Sequence, residues 1–81
     1  MRVIGDIPNP NCKITLYGWN GKYIVKIEQG PLEQTYKISE MDVAGEDDVR
    51  DMLNETFLEK VLKRFALMQT DWEKAMEEVE D

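Results

Sequence analysis

Asn20-Gly21 stands between two apolar-rich runs, residues 13–19 and 22–28, and no other dipeptide in the chain constrains the fold as much. A two-residue Asn-Gly loop makes a turn whose twist matches the strands it joins. It therefore sets a register. Trp19 faces Lys22, Gly18 faces Tyr23, Tyr17 faces Ile24 and Leu16 faces Val25. Thr15 then faces Lys26, Ile14 faces Ile27 and Lys13 faces Glu28. Side chains alternate across a strand, so Ile14, Leu16, Tyr23, Val25 and Ile27 share one face. Tyr17, Trp19 and Ile24 fall on the other. A slip of one residue would mix the two sets, so turn chemistry and pattern support each other.

Gly30-Pro31 marks a second turn. Pro31 has no N–H to close a tight Gln29-Gly30 loop, so a slightly longer connection is expected, then a third strand over 33–38. Tyr36 and Ile38 would extend the core face, with Thr35 and Lys37 opposite. Ahead of the hairpin, residues 1–11 hold Val3, Ile4 and Ile7, then Pro8 and Pro10. They read as an arm that packs through its apolar residues and turns into the first strand. The other reading is a disordered terminus.

From Ser39 the period changes. Asp47 and Asp48 suit the positive end of a helix carrying Val49, Met52 and Leu53. Asn54 is a candidate cap for the next. Phe57, Leu58, Val61, Leu62, Phe65 and Met68 recur at spacings of three and four, and Trp72, Ala75, Met76 and Val79 continue the stripe. Thr70 with Glu73 matches a capping box, so the chain either breaks there or runs on as one helix. An unbroken helix from about residue 55 to 79 would be roughly 37 Å long. A seven-residue strand spans only roughly 24 Å, so such a helix would overhang its sheet.

The expected fold is α+β: a three-stranded antiparallel meander followed by two or three helices packed on one face. It forms one domain over residues 1–81, with an arm at 1–11, the meander at 12–39 and the helical part at 46–80. An 81-residue domain hides only about 60% of its unfolded surface, so its core is thin.

The formal net charge of −7 argues against nucleic acid and against anionic membrane as partners, since both need a positive surface. Its distribution is uneven. Up to Gly45 acids and bases balance, and the excess lies entirely from Glu46 onward. Cys12 is the only cysteine and there is no histidine, which removes an internal disulfide, a cysteine metal cluster and an imidazole to activate the thiol. The acidic stretch 42–51 fails the calcium-loop pattern, because the sixth position from Asp42 is Asp47 rather than glycine. Lys60, Lys63 and Arg64 sit one turn from Glu55 and Glu59, as in ordinary surface pairing on a helix. No cofactor and no metal site are expected. With no apolar run near the ~20 residues that span a bilayer, a soluble cytoplasmic protein is the expectation.

Two sets of residues remain as candidate contacts. Tyr17, Trp19 and Ile24 lie on the face that should be wet, where they either pack on neighbouring lysine stems and the arm or form a patch for a partner. Met68, Trp72, Met76 and Val79 form the far end of the helical stripe and are candidates for self-association. The functional expectation is a small non-catalytic protein-interaction module that forms a homodimer. The alternative is an acidic decoy or antitoxin-like inhibitor that binds a basic partner through the C-terminal acids. An enzyme built from carboxylates is the third reading, and "EDDVRD" and "EKAMEEVED" fit solvated helix faces better.

The run "KYIVKIEQGPLEQTYKISEMDV", followed by "FLEKVLKRF", resembles a group of short uncharacterised bacterial proteins with a meander followed by helices. The resemblance implies that fold. It implies no activity and carries over no functional residue.

Overall fold

The computed structural model describes residues 1–79; residue 80, the last of the expected helical part, and Asp81 lie outside them. Four strands form one antiparallel sheet in sequence order: β1 (Arg2–Ile7), β2 (Lys13–Trp19), β3 (Lys22–Gln29) and β4 (Leu32–Ser39). A 3₁₀ turn (Glu40–Asp42) leads to α1 (Glu46–Met52) and α2 (Glu55–Val79). The α+β class and the helices packed on one face are as expected, but the meander has four strands rather than three.

The β2–β3 hairpin has the register that Asn20-Gly21 dictates, from Trp19 opposite Lys22 to Lys13 opposite Glu28. Both turn residues have positive φ, 55° and 76°, as this turn type requires. The second hairpin is tighter than expected. Gln29 pairs with Leu32, so Gly30 and Pro31 alone form the loop. Gly30 takes φ 58° and Pro31 keeps its ring-fixed negative φ, a combination that needs no N–H from Pro31.

The expected arm is a strand, because β1 pairs with β2 from Arg2 opposite Gly18 to Ile7 opposite Ile14. The pairing shifts between Val3 and Gly5, where Ile4 is the extra residue of a bulge. Val3 then faces outward beside Tyr17, while Ile4 and Ile7 pack on the core. The bulge puts an odd spacing between two inward isoleucines, which hides the period-two signature.

The core joins Ile14 and Leu16 of β2 with Val25 and Ile27 of β3, Val49 and Leu53 around α1, and Val61 and Phe65 of α2. Two polar side chains are buried among the described residues, Thr15 on the outer face of β2 and Gln34 against the core. Gln34 on β4 donates from Nε2 to the Val61 carbonyl (3.0 Å), and its Oε1 accepts from the Tyr36 hydroxyl (2.7 Å). Arg64 Nη1 donates to the same hydroxyl at 3.3 Å. The network ties β4 to α2 with every partner satisfied, which keeps buried polar groups from becoming a cost.

Side chains cap the 3₁₀ turn and α2, while α1 starts at Gly45 with no side-chain cap. Ser39 accepts from the Met41 N–H, and Asn54 Oδ1 accepts from the Phe57 N–H at 3.0 Å. Asp48 reaches back to the Ala44 N–H at 2.8 Å. The ambiguity at Thr70 resolves as one continuous helix. Thr70 Oγ1 donates to the Ala66 carbonyl one turn back, and Glu73 accepts from Gln69 instead of closing a capping box.

Candidate functional site

Three surfaces could meet a partner. The first is the outer face of the sheet, where the register places Val3, Tyr17, Ile24 and Lys37 in one row across four strands. Cover along the row is uneven, with Val3 and Lys37 exposed at its two ends. Ile24 is only 5% exposed and Tyr17 is half-buried, while Trp19 at the strand end stays 52% exposed. Tyr17, Trp19 and Ile24 therefore do come together, but Trp19 presents most of the surface and Ile24 forms the floor. A shallow depression of about 230 Å³ lies over them, edged by Lys26, Thr35 and Lys37. Lys26 reaches Glu33 at 3.6 Å and Glu28 at 4.0 Å, and Thr35 Oγ1 donates to Glu33 at 3.0 Å. These exposed pairs orient side chains more than they stabilise the fold.

The second surface is the far half of α2. Its apolar stripe is continuous from Phe57 to Val79, but cover ends early. Val61 and Phe65 are fully buried, Met68 and Gln69 are half-buried, and every residue from Thr70 to Val79 is exposed. Ten helical residues extend roughly 15 Å. Along them Trp72 is 50%, Met76 42% and Val79 85% exposed. Helical spacing puts Glu77 and Glu78 on the side away from that stripe, with Asp71 and Glu73 on its flanks. Where the helix leaves the sheet, Leu32, Met68 and Trp72 border a second shallow depression.

The third surface was not foreseen. An apolar cavity of about 220 Å³ opens between the sheet and the two helices, lined by Tyr36, Ile38, Met52, Leu53 and Phe57, with Val25 and Val49 at its back. The Tyr36 and Phe57 rings meet edge to face at 5.4 Å on one wall. Lys37 also borders it. The Lys37 side chain belongs to the opposite face, so the cavity reaches the strand backbone at the free edge of β4. Four elements contribute to this space, and no local pattern could announce it.

Burial pushes the Cys12 thiol above its ordinary value, which disfavours the nucleophilic thiolate, and its Sγ lies 3.5 Å from Asn9 Oδ1. Among the described residues no three acidic or cysteine side chains converge as metal ligands would. Among them, too, no helix is long and apolar enough to cross a membrane. No family model, no curated protein and no solved structure matches the chain.

Proposed function

We propose that the chain is a small non-catalytic protein-interaction module of the cytoplasm whose partner is a second copy of itself. The observation that carries this reading is the overhang of α2: an apolar stripe that packs a core for half its length and continues uncovered for ten residues more. Burying a large apolar side chain is worth ~1.5–3 kcal/mol, so a thin-cored domain gains more from covering Trp72, Met76 and Val79 than from leaving them wet. Homo-oligomers close most often by a two-fold axis, which brings the same surface from both chains together. The net charge gives nucleic acid and anionic membrane no part in this.

Trp72→Glu tests the reading. A charge within the stripe should dissociate the dimer into folded monomers, seen as a halved mass with an unchanged circular dichroism spectrum. Salt separates the alternative. An apolar dimer holds its affinity between 0.1 and 1 M NaCl, on the order of a tenfold range of ionic strength, whereas an acidic decoy loses its basic partner steeply. A wild-type chain that is monomeric, and that captures a basic partner only at low salt, would favour the decoy.

A further inference from the structure

The two edges of the sheet are not alike. β1 is short and broken by a bulge, both devices that keep an edge from pairing. β4 has eight residues, no bulge and no proline, and pairs regularly with β3 along its whole length. Which of its backbone groups are free follows from the loop. A two-residue hairpin loop is flanked by a hydrogen-bonded pair, here Gln29 and Leu32, and such pairs then alternate. Leu32, Gln34, Tyr36 and Ile38 therefore bond to β3. Glu33, Thr35 and Lys37 direct both N–H and C=O to the open edge, and among the described residues no turn or loop takes these groups up.

We propose that β4 pairs antiparallel with β4 of a second copy about a two-fold axis at Thr35, making one continuous sheet across the dimer. This rests on the self-association proposed above and names its mode. The strand is complementary to itself in that register. Thr35 meets Thr35, Glu33 meets Lys37 twice, and on the other face Leu32 meets Ile38 and Gln34 meets Tyr36. The three outward-directed residues face one another, so each pair exchanges both backbone bonds. An axis between two residues would set an outward-directed residue against one already bonded to β3, and an axis at Gln34 or Tyr36 keeps the bonding pattern but loses both Glu33–Lys37 matches.

The same register accounts for the other two unpartnered features. Leu32 of one copy lies level with Ile38 of the other. The overhanging half of α2 leaves its own sheet at Leu32, beside Met68 and Trp72. The helix runs antiparallel to its own β4, with Phe57 at Tyr36, Val61 at Gln34, and Met68 and Trp72 at Leu32. In the dimer it therefore leaves beside the partner's Ile38, a position that lines the apolar cavity. A strand pair alone hides less than the ~800 Å² per chain of a standard interface, and the helix end across the cavity supplies the second layer.

Sedimentation equilibrium of full-length variants tests the pairing. Thr35→Pro removes an edge-directed N–H and takes nothing from the β3 ladder, so it should weaken the dimer at least about tenfold and leave the spectrum of the monomer unchanged. Lys37→Glu sets Glu against Glu33 at both symmetric positions and should weaken the dimer about tenfold. Adding Glu33→Lys restores opposite charges and should restore the affinity. The restoration carries the test by itself if Thr35→Pro does not fold. A dimer that Trp72→Glu dissociates, but that neither Thr35→Pro nor the charge reversals affect, overturns the strand pairing and leaves self-association standing. A chain that is monomeric throughout overturns both.

Discussion

Replacing Gln34 should separate the part of β4 that holds the fold from the part that faces outward. The side chain is 8% exposed and makes two good hydrogen bonds, to the Val61 carbonyl and from the Tyr36 hydroxyl. Each is worth ~0.5–1.5 kcal/mol net. Neither partner loses its last hydrogen bond, because the Val61 carbonyl keeps its place in the α2 ladder, and the half-buried Tyr36 hydroxyl still accepts from Arg64 and can turn its proton to water. Gln34→Ala therefore costs the two bonds and a small cavity, about 2–3 kcal/mol. Gln34→Leu fills the space with apolar atoms and should cost about 1 kcal/mol or less. A chain of this length has a total stability of roughly 4–12 kcal/mol, so the alanine loss is large. With a urea dependence of about 1 kcal/mol per molar, the midpoint should fall by about 2–3 M for alanine and by about 1 M or less for leucine. Far-UV circular dichroism in urea, at one fixed protein concentration, reads both. A leucine variant as unstable as the alanine one would refute the reasoning, since it would mean that a buried group depends on the amide for its only partner.

Trp19→Ala should cost about 1–2 kcal/mol, below the ~3–5 kcal/mol of a buried aromatic, because half of the side chain already faces water; a urea midpoint shift of the full size would place it in a core. Thr70→Ala should be neutral or slightly stabilising, since the hydroxyl bonds within a continuous helix; a loss of about 1 kcal/mol on thermal melting would mean that it caps a break. The raised pKa of Cys12 means that the native chain holds the thiol proton more tightly than the unfolded one. The stability from this group is complete below the unfolded pKa and is lost as pH rises through the native value. Iodoacetamide at pH 8 should accordingly alkylate native Cys12 more slowly than the urea-unfolded chain, and equal or faster native labelling would contradict the burial.

The β2–β3 hairpin was legible in full because Asn20-Gly21 and the alternation of Ile14, Leu16, Val25 and Ile27 point to one register. β1 was not, because its bulge separates Ile4 from Ile7 by an odd interval and Pro8 and Pro10 look like the end of an arm. Gln34 shares the core parity of Tyr36 and Ile38, a signal that was present, but its burial depends on a carbonyl of α2 that only the packed structure brings near. Thr70 could be read two ways because a threonine three residues before a glutamate fits a cap, while its hydroxyl can equally bond back within a helix. Tyr17, Trp19 and Ile24 share the outer face, as the hairpin register implies. Their division into floor and rim follows from Val3 and Lys37 in the strands on either side. The free edge of β4 and the cavity beside it follow from strand order and from four elements meeting, which no stretch of sequence holds by itself.

Self-association is the central claim, and the mass of the wild-type chain in solution tests it most directly. The chain is 9.5 kDa. Sedimentation equilibrium over a range of concentrations from about 5 to 500 μM, where an interface of modest size would be populated, should show a mass rising to twice that value and no further, as a closed two-fold contact requires. A single species at 9.5 kDa across the whole range would contradict the account.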